Sequence, residues 1–272
     1  MERRYLLFGT LLFSFVYIFE SSFFIGKEEE PGISGEDLYL DKSFFECAKQ
    51  ASCKNVPRKA KDGATNELWD KVVYRSCKEA WRPGNLKEET YLIQFKGTSA
   101  PVEVRCAQQN GTMVVLFDHD SETRMNVTGY ESPGAYKHKI TYRVSLEEII
   151  HMMDTGNLSS CKQFTRIDCY GMILNKKDIS FGYIVDRNGE NMRYLGGADS
   201  TGKGCNCGVT KTCFNDDDLC YCDANQQKWA FDEGYVTEKS KLPITEVHLG
   251  DTGGPNDEEY GSHTIGPLEC VE

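Results

Sequence analysis

Several signatures of enzymes are missing from this sequence. It contains no HExxH, no GxSxG, no P-loop and no dinucleotide-binding fingerprint. The motifs that mark zinc proteases, α/β-hydrolases and nucleotide-binding enzymes are therefore absent. It also has no internal repeat and no low-complexity tract. We expect a globular protein that belongs to none of these enzyme classes.

The chain is short of positive charge. Its 31 Lys and Arg residues are outnumbered by 42 Asp and Glu residues, which gives a formal net charge of −11 at pH 7. Nucleic acids and anionic membrane surfaces attract clustered Lys and Arg, so neither is expected as a partner. Cations, basic proteins and neutral ligands remain. Because 39% of the residues are hydrophobic and 11% aromatic, the chain can bury a substantial core.

Long apolar runs are missing except at the N terminus. Arg3 and Arg4 precede an uncharged, largely apolar run, Tyr5–Phe19, and this order is typical of a secretory signal. The run is shorter than the roughly 20 residues of a membrane span. We expect residues 1–26 to be a signal peptide that is removed, although the usual small-x-small cleavage site is poor. The alternative is an uncleaved anchor, which would tether the chain to a membrane.

Cysteine, in contrast, is abundant, with twelve residues. An even number behind a secretory signal indicates disulfide bonds, because the secretory route is oxidising. The cysteines are Cys47, Cys53, Cys77, Cys106, Cys161, Cys169, Cys205, Cys207, Cys213, Cys220, Cys222 and Cys270. Sequons for N-glycosylation start at Asn110, Asn126 and Asn157, in agreement with that route. We expect a secreted, extracellular glycoprotein.

The apolar pattern predicts an α+β fold with more strand than helix. Helical spacing of apolar residues up to Val73 predicts a helical N-terminal extension over residues 27–75. The runs 91–95, 102–106 and 112–117 are β-rich and separated by turn residues, which is typical of antiparallel strands.

A helix and a hairpin are predicted further along. Ser145 is a suitable N-cap with Glu148 three residues on, and apolar residues up to Met153 share one helical face. The Asn188-Gly189 dipeptide between two β-rich runs predicts a tight hairpin turn.

The segment GDTGGP, residues 250–255, resembles the GDSGGP of trypsin-type proteases with Thr252 in the place of the nucleophile. Such an enzyme needs a histidine base and a buried aspartate. No histidine here lies in an Ala-His-Cys context, and only twenty residues follow Thr252. An internal threonine also lacks the free amine that threonine nucleophiles use as base. We expect a glycine-rich turn capped by Asp251, with a hydrolase as the remote alternative.

The tripeptide Asp118-His119-Asp120 brings two carboxylates and an imidazole together in the sequence. Such groups can serve in acid–base catalysis. A solvated loop after a strand is the simpler interpretation, and we predict no catalytic residue.

Five cysteines lie within residues 204–229. Closely spaced thiolates can hold zinc, but an oxidising compartment favours disulfides. Cysteines separated by a single residue suit different partners. Because five is odd, at least one must bond outside the segment, with Cys161, Cys169 and Cys270 as candidates.

The same segment carries adjacent acidic residues. Asp216, Asp217 and Asp218 are calcium candidates, because calcium takes several oxygens from a rigid loop. Adjacent acids in a loop are more often simply solvated, so no metal or other cofactor is assigned. The run Asp257–Glu259 is interpreted as surface charge.

Aromatic residues follow the cysteine segment. Trp229, Phe231 and Tyr235 could form a recognition patch, because exposed aromatic side chains are typical of binding sites. Aromatic residues beside a disulfide cluster are more often buried, so we expect these three in the core.

The C-terminal part resembles a specific extracellular domain. From Cys220 onward it contains the runs CYCDANQQKW (220–229), DEGYV (232–236), KSKLPI (239–244), GDTG (250–253) and IGPLEC (265–270). These runs are similar to the fibrinogen C-terminal-like domain of contactin-associated proteins. Upstream, SCKE (76–79), YLI (91–93) and VEVRC (102–106) resemble the domain's opening cysteine pair, and 145–157 with Cys161 and Cys169 its central helix and cysteine pair.

This resemblance covers about residues 76–270 and implies a fibrinogen C-terminal-like fold for a domain 76–272, mainly antiparallel sheet with short helices. It implies a disulfide between Cys77 and Cys106, whose loop closure would stabilise the fold by roughly 3–4 kcal/mol. The calcium loop and acetyl-group pocket of fibrinogen-related lectins do not align here.

The resemblance also implies a non-catalytic extracellular function. We expect a secreted recognition or adhesion protein that binds an extracellular protein or glycan. The alternative is a structural constituent of an extracellular or mineralised matrix, which the acidity and small size favour.

Overall fold

Strands form most of the regular structure, in agreement with the β-rich runs of the sequence. The computed structural model describes residues 72–81, 89–195, 197–198, 204–254 and 257–272, which lie in one compact unit. The strands are β1 Val73–Tyr74, β2 Glu89–Ile93, β3 Val102–Gln109, β4 Thr112–Phe117, β5 Met125–Val127, β6 Tyr136–Lys139, β7 Cys161–Tyr170, β8 Asn175–Lys176, β9 Ile179–Ser180, β10 Tyr183–Val185, β11 Asn191–Met192, β12 Ala230–Val236, β13 Glu246–Leu249 and β14 Tyr260–Val271. The helices are α1 Cys77–Ala80, α2 Leu146–Asp154 and α3 Asn206–Thr210, with 3-10 helices at Tyr221–Ala224 and Lys239–Lys241.

The larger sheet has eight strands in the order β1-β2-β3-β4-β14-β7-β12, with β5 also paired to β14. All its pairs are antiparallel except β1 with β2. The register of β14 on β7 shifts between Ile265 and Leu268. Pro267 lies in this gap and has no N–H for the ladder, which is why an irregularity falls here. Because β14 joins β4 to β7, the last strand of the chain completes the sheet.

The second sheet has four antiparallel strands in the order β11-β10-β13-β6. Asn188 and Gly189 form the turn between β10 and β11, as the dipeptide predicts. Gly189 has a φ of 82°, a conformation that glycine adopts without steric cost. A separate two-stranded pair, β8 with β9, lies between β7 and β10 in the chain.

Helix α2 begins as its capping residues predict. The Ser145 Oγ accepts a hydrogen bond from the Glu148 N–H at 3.3 Å and donates one to the Glu148 carboxylate at 2.7 Å. Ile149, Met152 and Met153 are buried. The helical prediction for the N-terminal extension is wrong in its described part, because Val73 and Tyr74 form β1 and Val72 and Arg75 are not helical. Residues 27–71 lie outside the described residues.

One large hydrophobic core combines side chains from both sheets and from α2. Phe117, Ile149, Ile167, Ile184 and Leu249 are each at most 1% exposed. Full burial of a side chain of this size stabilises a fold by about 1.5–3 kcal/mol. In the part of the chain that the structure describes, no helix is long and apolar enough to cross a bilayer.

The buried side-chain amide of Gln163 links the segment Leu242-Pro243-Ile244 to Gly266-Pro267 in β14. The Gln163 side chain accepts a hydrogen bond from the Ile244 N–H at 3.0 Å and donates to the Gly266 carbonyl at 3.1 Å. It also donates to the Tyr142 hydroxyl at 2.8 Å, which donates in turn to the Ile244 carbonyl at 2.9 Å. These contacts satisfy backbone groups that the interrupted ladders leave free.

Disulfides tie both ends of β7. The structure contains Cys77–Cys106, Cys161–Cys270, Cys169–Cys222, Cys205–Cys220 and Cys207–Cys213. The Cys77–Cys106 bond is the one that the resemblance implied, whereas Cys161 and Cys169 do not bond to each other. Among the five cysteines of residues 204–229, Cys222 bonds to a cysteine outside that segment. No described cysteine is a free thiol. Cys47 and Cys53 lie outside the described residues, as does the predicted signal peptide.

Candidate recognition surface

Strands β7 and β12 present one face of the larger sheet to solvent. Along β7 the odd-numbered side chains from Cys161 to Cys169 are buried, so the even-numbered ones point to the opposite face. The register sets Phe231 opposite Asp168 and Tyr235 opposite Phe164. The aromatic face, as we name it, consists of Arg124, Lys162, Phe164, Arg166, Asp168, Tyr170, Trp229, Phe231, Glu233, Tyr235 and Tyr260.

Four of the six aromatic side chains of this face are exposed, which corrects the expectation that Trp229, Phe231 and Tyr235 lie in the core. Trp229 is 54% exposed, Phe231 45%, Tyr235 39% and Tyr260 42%. The buried residues of β12 are Asp232 and Val236. A charged residue therefore points inward on β12 and two aromatic rings point outward.

Each of three rings carries a cationic side chain on its surface. The Arg166 guanidinium lies 4.0 Å from the centre of the Phe231 ring. Lys162 Nζ lies 4.5 Å from the Tyr235 ring, and the Arg124 guanidinium lies 5.0 Å from the indole of Trp229. Each such pair contributes about 0.5–1 kcal/mol at an exposed site and restricts the rotamers of both partners.

Carboxylates hold these cations in turn. Arg166 donates to Asp168 and to Glu233, each at 2.7 Å, and the hydrogen bond with Asp168 raises the pKa of Arg166. Arg124 donates to the Ser262 hydroxyl at 2.7 Å, which donates to Asp168 at 3.0 Å. The network fixes the charged groups between the rings.

The carboxylate of Glu269 anchors the other end of the face. Glu269 lies 3.3 Å from Lys162 Nζ and accepts hydrogen bonds from the Tyr235 hydroxyl at 3.3 Å and from Gln109 at 3.0 Å. Burial and the nearby Glu269 charge raise the pKa of Tyr235. The Tyr235 phenol is therefore a neutral hydrogen-bonding group.

Such a surface is suited to binding rather than to chemistry. Trp, Tyr and Arg are enriched among the residues that dominate the energy of protein interfaces. Side chains already held in place lose less conformational entropy when a partner binds. The sequence signal was present in the alternation Lys-x-Phe-x-Arg-x-Asp-x-Tyr of β7 and Phe-x-Glu-x-Tyr of β12, but it does not say which face is outside.

The tripeptide Asp118-His119-Asp120 is not the solvated loop that we expected. His119 is 9% exposed; its Nε2 lies 2.8 Å from the Gly266 carbonyl and its Nδ1 accepts from the Ser121 N–H at 3.0 Å. This arrangement requires the neutral ring with the proton on Nε2. Burial lowers the pKa of His119 accordingly. The ring supports the β14 irregularity and is not exposed to a substrate.

A serine, a histidine and an aspartate also meet here, in an arrangement that differs from a catalytic triad. The Ser121 hydroxyl lies 2.8 Å from His138 Nε2 and donates to Asp120 at 2.9 Å. Asp120 lies 3.5 Å from the same Nε2. A triad needs the serine and the carboxylate on opposite ring nitrogens, and Ser121 is fully buried.

Residues 250–254 of the GDTGGP segment lie between β13 and β14 outside regular structure. Thr252 is fully buried, and its hydroxyl accepts a hydrogen bond from the Tyr130 N–H at 3.1 Å. Asp251 does not cap its own turn; it accepts from the Ile173 N–H at 2.7 Å. The segment therefore fixes two neighbouring loops, and its threonine is inaccessible to a substrate.

Acidic residues are grouped near this turn. Carboxylate oxygens of Glu131, Asp251 and Glu259 all lie within 4.8 Å of one another. Burial raises the pKa of both Asp251 and Glu259, and neighbouring carboxylates raise that of Glu259 further. The calcium candidates are elsewhere: Asp216 and Asp217 are exposed, and Asp218 accepts a hydrogen bond from Asn215 at 2.7 Å. Calcium binding at Asp216–Asp218 stays a prediction.

The three sequon asparagines differ in their surroundings. Asn110 is exposed in the turn between β3 and β4, and Asn126 is exposed on β5. Asn157 is half-buried, and its amide nitrogen donates to the Lys96 carbonyl at 2.8 Å and to the Thr155 hydroxyl at 3.0 Å. Glycosylation at Asn110 and Asn126 stays a prediction, whereas the two hydrogen bonds of the Asn157 amide disfavour a glycan there.

The sheets, the five bonds that staple them and the exposed aromatic face define a disulfide-stapled, β-rich domain of the kind found in extracellular proteins. No protein-family model matches the chain.

The chain is related in sequence to segments of known proteins. It is 30% identical to neurexin-4 of Drosophila melanogaster over 185 residues, 65% of this chain. It is 28% identical to contactin-associated protein 1 of Mus musculus and of Rattus norvegicus over 203 residues, 73% of this chain. The chain is thus homologous to a segment of these proteins, and the match spans only about 14% of their length.

Proposed function

We propose that this chain is a non-catalytic extracellular recognition domain that binds a protein partner through the aromatic face. The observation that carries the proposal is the set of exposed rings on β12 and beside it, each held by a cation that is itself held by carboxylates. No described element covers these rings, whose exposure is typical of an interface centre rather than of a fold's interior.

The wider proposal concerns fold type, limits and location. We assign the domain to the fibrinogen C-terminal-like type over residues 76–272, preceded by an extension 27–75 and a signal peptide 1–26. The motif runs and the Cys77–Cys106 bond support the type. Five disulfides in the described residues support an oxidising, extracellular location.

A protein partner is favoured over a glycan. Among the relatives is a protein named for its association with contactin, and we therefore take a contactin ectodomain as the first partner to test. Charged groups of both signs alternate with the rings, which suits the mixed surface of a folded protein.

The test compares binding of purified, secreted chain to an immobilised contactin ectodomain from the same organism. Phe231→Ala and Tyr235→Ala should each weaken binding about tenfold or more, as loss of a central interface residue does. The control is Ile179→Ala on β9, a 51% exposed apolar residue away from the face, which should leave the affinity unchanged. Thermal unfolding of all variants establishes that the fold is kept.

The outcomes separate the parts of the proposal. Binding that both face variants retain would place the interface elsewhere. Absence of binding would exclude contactin as the partner. Recovery of the native protein only from insoluble matrix would favour the structural alternative.

A further inference from the structure

Tyr260 stands out among the fourteen tyrosines of the chain. It is the only one directly preceded by three acidic residues, Asp257, Glu258 and Glu259. Glycines at 253 and 254 and a proline at 255 come just before these acids. An acidic stretch after turn-forming residues is the setting in which secretory proteins are modified on tyrosine oxygen by sulfate transfer.

The structure leaves the Tyr260 phenol accessible. Tyr260 is the first residue of β14 and is 42% exposed. Its ring packs against Tyr170 at 5.8 Å between ring centres, and its hydroxyl forms no hydrogen bond with any residue that the structure describes. Residues 257–259 are outside regular structure, and Asp257 and Glu258 are exposed. A modifying enzyme can therefore reach both the acceptor and the acids before it.

We propose that Tyr260 is a site of O-sulfation. The sulfuryl group comes from a mixed anhydride of sulfate and phosphate: its sulfur–oxygen bond to the bridging oxygen breaks, and a new one forms to the phenol oxygen. The phenol proton goes to a base of the sulfotransferase, the phosphate leaves, and nothing is oxidised or reduced. The proposal rests on the secretory route of the proposed function, because that is where this transfer takes place.

The modification would change the aromatic face. Tyr260 and Trp229 both pack against Tyr170, and Trp229 carries the Arg124 guanidinium. A sulfate ester is a permanent anion at neutral pH with oxygens that accept hydrogen bonds from cationic side chains. Its addition at this end of the face would favour a partner with a basic surface.

Tyr91 is a control tyrosine: it lies near acidic residues in the sequence, but the structure leaves its phenol less accessible than that of Tyr260. It also follows two glutamates, Glu88 and Glu89. However, it is half-buried, its hydroxyl donates to Glu89 at 2.9 Å, and its ring packs against Tyr74 at 5.8 Å between ring centres. The structure therefore predicts that Tyr91 stays unmodified.

The experiment uses the full chain secreted from cultured animal cells fed with radioactive sulfate. After enzymatic removal of N-glycans and reduction, trypsin releases the peptide 242–272, in which Tyr260 is the only tyrosine, and the peptide 88–96, in which Tyr91 is the only one. Sulfate should be found in the first peptide and not in the second. A sulfate ester on the peptide is distinguished from a phosphate ester because it resists phosphatase and is lost in acid.

Two variants complete the test. Tyr260→Phe should abolish the label in peptide 242–272. The triple variant Asp257→Asn, Glu258→Gln, Glu259→Gln keeps the tyrosine and should also lose the label. Secreted protein that carries N-glycans but no sulfate on this peptide would overturn sulfation and leave the recognition proposal standing. Retention of the chain in the cytosol would overturn both.

Discussion

His263 offers a direct test of how β14 is packed. The side chain is fully buried, its Nε2 lies 3.0 Å from the Tyr136 hydroxyl, and its Nδ1 has no hydrogen-bond partner among the described residues. Burial, together with the neighbouring His138, lowers the pKa of His263 to about 4. Protonation would add an N–H at Nδ1 where no acceptor is present, which is costly in a buried site.

The sign and size of the effect follow from linkage. A histidine in the unfolded chain titrates near pH 6.5, so between pH 6.5 and about 4 the unfolded state holds a proton that the folded state lacks. The contribution of His263 to stability is complete above pH 6.5, decreases as the pH falls through this window, and is lost below it. The full difference corresponds to about 3 kcal/mol.

Two buried carboxyl groups act in the opposite direction. Burial raises the pKa of both Asp223 and Asp232 to about 6. Between pH 3.8 and about 6 the folded state therefore holds protons that the unfolded state has released, and stability rises as the pH falls. In the native chain the dependence of stability on pH combines both effects. The contribution of His263 is therefore isolated by comparison with a variant.

The measurement is urea unfolding of the native chain and of His263→Gln, which keeps an amide for Tyr136. On acidification from about pH 7.5 to about pH 4.5, the variant should lose about 2–3 kcal/mol less of its free energy of unfolding than the native chain. The matched control is His151→Gln on the exposed side of α2, which should follow the native chain. Parallel losses in the native chain and His263→Gln would refute the reasoning.

Two further predictions concern the buried amide and the glycans. Gln163→Leu leaves the buried Ile244 N–H without its partner and removes one hydrogen bond each from the Gly266 carbonyl and the Tyr142 hydroxyl, so thermal unfolding should show a loss of about 3 kcal/mol or more. Gln109→Leu, which removes a half-buried amide bonded to Glu269, should cost about 1 kcal/mol or less, and equal losses would contradict the ranking. Secreted chain should carry N-glycans at Asn110 and Asn126 but not at Asn157, whose amide nitrogen is engaged in two hydrogen bonds; a mobility shift on Asn157→Gln would contradict this.

Local patterns predicted the elements that depend on local interactions. Helix α2 begins where Ser145 and Glu148 can cap it, and the β10–β11 hairpin turns at Asn188-Gly189. In both cases the residues that decide the structure are within a few positions of each other. The pairing of Cys169 with Cys222 could not be predicted in this way, because it depends on which strands become neighbours.

The aromatic face was missed for a reason that β12 makes clear. Alternation shows that Phe231 and Tyr235 share a face, and ordinary burial preferences would turn that face inward. The inward position is taken instead by Asp232, whose carboxylate accepts the N–H groups of Tyr221 and Cys222, each at 3.0 Å. A buried carboxylate is tolerated only where such donors exist, and they belong to a 3-10 helix whose position the sequence of β12 does not reveal.

Some residues that carry the family resemblance hold the framework together, whereas Trp229, Glu233 and Tyr235 lie both in the matching runs and in the aromatic face. Ile244 and Gly266, which lie in the Leu-Pro and Gly-Pro runs, bond to the buried Gln163, and Thr252 bonds to the loop at Tyr130. These motif residues hold the framework together. The face is built from the outward positions of β7 and β12 and from Arg124, Trp229 and Tyr260 beside them. A shared framework therefore does not transfer a relative's partner to this chain, and it is the variants at Phe231 and Tyr235 that decide what this domain binds.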